Sequence, residues 1–149
     1  MNKIEMAATY LINAPREEVF KAYSDPNLIP RWWGPERLTT TVAKMDFKAG
    51  GAWRFVQKDK DGKEYGFHGT YEEIVAPRLI AQTFEYEGRP GEVLNTVTTF
   101  ESAGGGTRIT VKTLFPSAAD RDAMLKEGMK EGQDESMERL TNLVSASTC

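Results

Sequence analysis

Few side chains in this sequence can carry acid-base chemistry. His68 is the only histidine, and imidazole is the side chain whose ordinary pKa lies nearest neutrality. If its strand is regular, His68 shares a face with Thr70 and Glu72, and a carboxylate could orient the ring for proton transfer. Gly69 could introduce a bulge that reverses this arrangement. His68 is therefore a candidate general base, with a half-exposed strand residue as the alternative interpretation.

Metal ligands and nucleophiles are equally scarce. The chain has one histidine and one cysteine, and Cys149 is its last residue. Zinc sites need several His or Cys ligands at fixed spacing, and a cysteine protease pairs both residue types. Gly104–Gly106 lacks the Gly-Lys-Ser/Thr that completes a phosphate loop, so we interpret it as a hairpin turn. We expect no metal and no cofactor.

A larger set of residues favours binding of an apolar molecule. Its aromatic members share one face on each of several predicted strands, and Trp32-Trp33 places two rings directly before a turn. Its polar members could orient a ligand, although each could also face solvent. The candidate ligand-binding residues are Trp32, Trp33, Trp53, Phe55, Phe67, Gln82, Phe84, Tyr86, Thr98, Met129 and Gln133.

The elements that must position these residues follow from hydrophobic periodicity. A strand ending at Ile12 precedes a helix that begins near Pro15, and a second short helix is predicted around 25–33. Short turns join the following strands, which indicates antiparallel hairpins. One helix is predicted from Ser117 to about Val144. The predicted strands are 38–47, 52–58, 64–76, 79–87, 92–101 and 107–115.

This order predicts an α+β fold in which a curved antiparallel sheet of about seven strands wraps around the C-terminal helix. One helix cannot fill a curled sheet, so either aromatic side chains plug the gap or a cavity remains. Gly128 and Gly132 on the helix each cost about 0.8–1.0 kcal/mol relative to alanine, and room for a ligand would explain them. A packed core with close approach of a strand is the alternative.

Composition bounds the remaining possibilities. The chain has 149 residues with a net charge of −3, which predicts one domain over 1–149 and no nucleic-acid partner. No apolar run is long enough to cross a membrane. Residues 1–6 lack the pattern of a signal peptide, so we expect a cytoplasmic protein. Homodimerisation through a sheet edge or through the Trp32-Trp33 region is left open.

Nine short motifs follow one another along the chain: Ile12–Pro15, Glu18–Phe20, Asp25–Pro26, Arg31–Pro35, Asp46–Phe55, Gly69–Ile74, Val97–Glu101, Gly105–Ile109 and Met137–Leu140. As an ordered set, they resemble the SRPBCC superfamily, which has the START-like or helix-grip fold of the birch-pollen-allergen-like proteins. Within it, the chain is most similar to the bacterial branch related to the activator of heat-shock protein 90 ATPase.

The resemblance implies a deep apolar cavity between the sheet and the terminal helix. Where the family often has Gly-Trp in that helix, this chain has Gly132-Gln133, and the shorter amide would enlarge the cavity or add a hydrogen-bonding group. Our leading hypothesis is binding of a small hydrophobic or aromatic molecule. The alternatives are a cyclase or dehydratase that uses His68, and a regulator of a chaperone ATPase that acts through protein contacts.

Overall fold

The computed structural model describes residues 4–126 and 129–147. Within them, seven strands, three α-helices and one 3-10 turn follow the predicted order, which confirms the α+β helix-grip fold. The elements are β1 (Ile4–Ile12), α1 (Arg16–Ser24), the 3-10 turn (Ile29–Arg31), β2 (Thr39–Met45), β3 (Ala52–Lys58), β4 (Glu64–Val75), β5 (Leu79–Tyr86), β6 (Leu94–Ala103), β7 (Gly106–Phe115), α2 (Ala118–Lys126) and α3 (Met129–Ser147).

The strands form one antiparallel sheet in the order β1-β7-β6-β5-β4-β3-β2. Strands β2 to β7 are sequential neighbours because their connections are too short for a crossover. The first strand returns to pair with the last, so that Ile12 lies opposite Thr107 and Ile4 opposite Phe115. The predicted six-stranded meander joined by the first strand is therefore confirmed.

One helix prediction differs from the structure. The second helix, predicted around 25–33, is a single 3-10 turn, Ile29–Arg31, and Pro30 within it has no N–H to continue a helix. The C-terminal stretch, predicted as one helix from Ser117 to about Val144, is helical over Ala118–Lys126 and Met129–Ser147, the segments labelled α2 and α3. Residues 127–128 between them lie outside the described part of the chain, as do the predicted Gly128 and the terminal Cys149.

Alternation along the strands divides the sheet into an inner and an outer face. On β3, the inner side chains Trp53 and Phe55 are buried, whereas Arg54 and Lys58 on the outer face are exposed. The bulge considered at Gly69 occurs slightly later, where the β4–β5 register shifts between Tyr71 and Glu73. The inner face thus carries the apolar side chains, and helices α1 to α3 pack against that face.

Aromatic side chains fill the space between the sheet and α1 at one end of the strands. We call this end the closed end. The Phe20 ring contacts Phe100 at 5.3 Å and Phe47 at 5.9 Å between centroids. Tyr23 contacts Phe100 at 5.0 Å, and Phe47 contacts Tyr71 at the same separation. These edge-to-face contacts fill the interior at this end. No helix among the described residues is long and apolar enough to span a membrane.

Candidate functional site

A cavity of about 480 Å³ lies between the inner face of the sheet and helices α2 and α3. The inner side chains of β3 to β7 form its wall, and the loop 32–38 and the two helices supply the rest of its lining. The half exposure of inner-face residues Phe67, Phe84 and Tyr86 follows from this arrangement, because their rings face space that no protein atom fills. The volume falls within the range of about 300–1,000 Å³ that is usual for ligand pockets.

One wall of the cavity is aromatic. The Trp33 ring meets Phe67 edge to face at 5.3 Å. Phe67 lies 5.5 Å from Phe84 and stacks on Tyr86 at 5.1 Å. The Trp53 ring lies 6.0 Å from Phe84. All five line the cavity, so an apolar guest would contact ring faces and edges supplied by four separate elements.

Three other predicted residues are placed differently from this wall. Trp32 reaches the cavity lining but is 2% exposed, and its indole N–H donates to the Ala22 carbonyl oxygen at 2.9 Å. Phe55 is not part of the lining that the structure describes, because its ring is buried behind Trp33 at a centroid distance of 5.1 Å. Met129 begins α3, and its side chain lies outside the described part of the structure.

A row of polar side chains crosses the cavity wall opposite the helices. Gln82 lies directly opposite Thr96 in the register of β5 and β6, and Thr96 lies opposite Thr113 in that of β6 and β7. Thr98 lies one inner-face position further along β6. These four side chains line the cavity, and no described residue hydrogen-bonds to any of them. Polar groups in such a position need a partner from water or a ligand. Sequence parity predicted Gln82 and Thr98 but missed Thr113.

Gln133 joins the cavity to a polar cluster between α3 and β1. Its amide Nε2 donates to the Tyr10 hydroxyl at 2.9 Å, and that hydroxyl donates to Asp134 Oδ1 at 2.8 Å. Lys130 Nζ also donates to Asp134 at 2.6 Å, and this hydrogen bond is the main cause that lowers the pKa of Asp134. Partial burial raises the pKa of Tyr10. The cluster fixes the Gln133 side chain beside the cavity.

The loop that carries Trp33 is fastened to α3 by contacts that sequence reasoning missed. The Gly34 N–H donates to Ser136 Oγ at 2.8 Å, and Arg139 Nη1 donates to the Gly34 carbonyl oxygen at 2.7 Å. Gly34 has φ +84°, and a Cβ there would overlap the Gln57 amide, so only glycine fits. The Trp-Trp-Gly-Pro motif was visible in the sequence, but its partners lie about 100 residues away along the chain.

Chargeable side chains are rare in the lining. Among the lining residues that the structure describes, Arg37 and Arg89 are charged, and none is His, Cys, Lys, Asp or Glu. Tyr23 also lines the cavity, and burial raises its pKa, so its hydroxyl stays protonated at neutral pH. The cavity therefore offers hydrogen bonds and two positive charges, without a group that exchanges protons near pH 7.

His68 lies outside the cavity, on the outer face of β4. Its Nδ1 is 2.9 Å from Glu87 Oε2, and its Nε2 is 3.5 Å from Glu85 Oε1. The predicted pairing with Glu72 is wrong. Residues four apart on a strand are about 13 Å apart, whereas Glu85 faces His68 directly across the β4–β5 ladder.

Glu87 is held as a carboxylate by this outer cluster. Arg54 Nε and Nη2 donate to its two oxygens at 2.8 and 2.9 Å. These hydrogen bonds, together with that of His68, lower the pKa of Glu87 to about 2. Among the described residues, no group of three or more His, Cys, Asp or Glu side chains could hold a metal ion. The cluster thus joins β3, β4 and β5 on the solvent side.

Comparison with solved structures identifies relatives of this architecture. A Chromobacterium violaceum protein is 25% identical, with a TM-score of 0.83 over 95% of this chain and 97% of that one. A protein from Arthrobacter aurescens is 23% identical, with a TM-score of 0.89 over 95% and 86%. An AHSA1 protein from Silicibacter pomeroyi is 20% identical, with a TM-score of 0.79 over 97% and 99%. Comparison with curated proteins finds no match.

The sequence itself matches a protein family over most of its length. The profile described as "Activator of Hsp90 ATPase homolog 1-like protein" matches residues 13–145. This match runs from before α1 to within two residues of the end of α3 and so includes every described residue that lines the cavity. The fold and the family fit a ligand-binding or regulatory protein in general. The chain belongs to the AHSA1 family, as the resemblance of its motifs predicted.

Proposed function

We propose that this protein binds a small hydrophobic or aromatic molecule in the cavity between the sheet and α3. The observation that carries the proposal is the pairing of the aromatic wall with the row Gln82, Thr96 and Thr113. A largely apolar cavity with a few converging polar groups is the usual form of a ligand site. The hydroxyl and amide groups of the row have no protein partner among the described residues. A ligand that hydrogen-bonds with them therefore replaces the hydrogen bonds that it gives up on leaving water.

The attractive contributions set an upper limit on the affinity. Burial of about 200 Å² of apolar ligand surface contributes roughly 5 kcal/mol before the costs of association. Each hydrogen bond to the polar row adds about 0.5–1.5 kcal/mol. A dissociation constant near 1 μM requires about 8 kcal/mol. Because association also has a cost, we expect micromolar or weaker binding, with the tightest binding by aromatic compounds that also carry a hydrogen-bonding group.

Catalysis in the same cavity has less support. His68, the candidate base, lies on the opposite face of the sheet, and a proton would have to cross the sheet to reach a bound molecule. The described lining has arginines and tyrosines as its titratable groups, and these are poorly matched to proton transfer at neutral pH. The geometry thus favours binding over the cyclase or dehydratase alternative.

A fluorescence titration with N-phenyl-1-naphthylamine, a neutral aromatic probe, tests the proposal. We expect saturable binding with one probe per chain. Thr96→Phe places a ring in the middle of the polar row and should weaken binding at least tenfold. Thr99→Phe, on the outer face of the same strand, is the matched control and should bind like the wild type. Absence of saturable binding, or equal binding by both variants, would contradict the proposal.

A further inference from the structure

The end of the cavity opposite the closed end is the end where its charged residues lie. Arg37 directly precedes β2, whose first residue Thr39 pairs with the last residue of β3, Lys58. Arg89 lies in the turn that follows β5, and Phe84 near the end of β5 pairs with Leu94 at the start of β6. The strands are antiparallel, so the start of β2, the ends of β3 and β5, and the start of β6 all lie at the same end of the sheet. We call it the open end.

On β4 and β5, the exposure of the inner-face side chains increases toward the open end. On β4, Tyr71 is 3% exposed, whereas Phe67 and Tyr65 are half-buried. On β5, Ile80 is 1% exposed and Tyr86 is half-buried. A molecule in the cavity would therefore place its apolar body among the rings and one terminus beside the open end.

The two charged side chains of the described lining, Arg37 and Arg89, are both cationic. Arg37 is exposed and makes no hydrogen bond or ion pair with another described residue. Arg89 is anchored by Glu92, with Nη1 to Oε2 at 3.3 Å, so that pair is nearly neutral. The Asp120 carboxyl beside Glu92 raises the pKa of Glu92. Arg37 thus supplies a guanidinium that has no acidic partner among the described residues, and the described lining contains no carboxylate.

We propose that the ligand is an anionic amphiphile, with an apolar or aromatic body and one acidic group that is ionised at neutral pH. This inference rests on the proposed function and adds the ligand's charge and orientation. The acidic group lies at the open end, where the Arg37 guanidinium meets it and Arg89 adds further donors. Guanidinium groups bind carboxylate and similar oxyanions through paired N–H donors. The protein carries a net charge of −3, so selection of an anion depends on this local arrangement.

A pair of probes that differ by one acidic group tests the inference. 8-Anilino-1-naphthalenesulfonate and N-phenyl-1-naphthylamine share one aromatic skeleton, and only the former has a sulfonate. At 0.1 M salt we expect the sulfonate probe to bind about tenfold more tightly, which corresponds to about 1.4 kcal/mol. Arg37→Gln should remove most of this preference, and Arg89→Gln should reduce it. Arg108→Gln is the control, because Arg108 lies on the outer face beside Glu101, and it should leave the preference unchanged.

The outcomes separate this inference from the proposed function. Equal binding of both probes, or tighter binding of the neutral one, would overturn the inference and leave the proposed function supported. A preference for the sulfonate that persists in Arg37→Gln, or that disappears equally in Arg108→Gln, would also overturn it. Failure of both probes to bind would contradict the proposed function itself, and the inference with it.

Discussion

Replacement of Gly132 tests whether the space beside α3 is empty. A Cβ at this position would meet no atom within 4 Å other than those of its own helix and chain neighbours, and Gly132 lines the cavity. Glycine within a helix costs roughly 0.5–1 kcal/mol relative to alanine. Gly132→Ala should therefore raise the free energy of unfolding by about that amount and raise the Tm by about 2–4 °C. Urea and thermal unfolding followed by circular dichroism measure both quantities.

A larger side chain at the same position should affect binding as well. Gly132→Phe adds an aromatic ring at the cavity lining and removes space that a ligand would occupy. We expect its affinity for N-phenyl-1-naphthylamine to fall at least tenfold, whereas Gly132→Ala should bind almost as well as the wild type. Asn142→Phe places the same ring on an exposed position of α3 and should leave affinity unchanged.

Two results would refute this reasoning. If Gly132→Ala lowers stability, the space beside this residue is already occupied, and the empty volume described for the cavity is wrong. If Gly132→Phe folds and binds the probe like the wild type, the probe binds elsewhere. Because both variants change the same position, Gly132→Ala measures the stability gained from helix propensity, and Gly132→Phe measures the effect of filling the cavity on binding.

Three further predictions concern stability. Glu87→Gln should lower the free energy of unfolding by about 1 kcal/mol above pH 5, because exposure to solvent limits the contribution of the ion pair. The pKa of Glu87 is about 2 in the folded protein and 4.5 ordinarily, so the difference from the wild type should disappear as the pH falls from 4.5 to 2. An equal difference at pH 7 and pH 2.5 would contradict this prediction. Trp32→Phe leaves the Ala22 carbonyl oxygen unpaired and should cost about 1–3 kcal/mol in urea unfolding; a cost below about 0.5 kcal/mol would refute it. Gly69→Ala would overlap the Thr83 carbonyl oxygen and should lower the Tm, in contrast to Gly132→Ala; an unchanged Tm would be the contrary result.

Much of the inner face could be predicted because strand periodicity is local. Trp53, Gln82 and Phe84 all lie on faces fixed by alternation within their own strands, and each lines the cavity. The order and pairing of the strands followed from short turns, which leave antiparallel neighbours as the only arrangement. Phe55 shows the limit of this reasoning, because parity places it on the inner face but does not distinguish a lining ring from one packed behind it.

What depends on register and tertiary contact could not be predicted. His68 faces Glu85 because of the β4–β5 pairing, and a sequence alone does not give the offset between two strands. Arg37 and Arg89 lie in turns 52 positions apart, and only the completed sheet brings them to the same end of the strands. The contacts from Ser136 and Arg139 to Gly34 likewise join segments that are distant along the chain.

These contacts between Gly34 and α3 couple two boundaries of the cavity. Ser136 and Arg139 lie one turn apart on the helix, and both hold the residue that follows Trp33. A sliding or tilting of α3 would therefore carry the tryptophan with it, so that the helix and the aromatic wall move as one piece. Widening the entrance then requires either breaking both hydrogen bonds together or bending the sheet, and ligand exchange should be slow compared with side-chain motion.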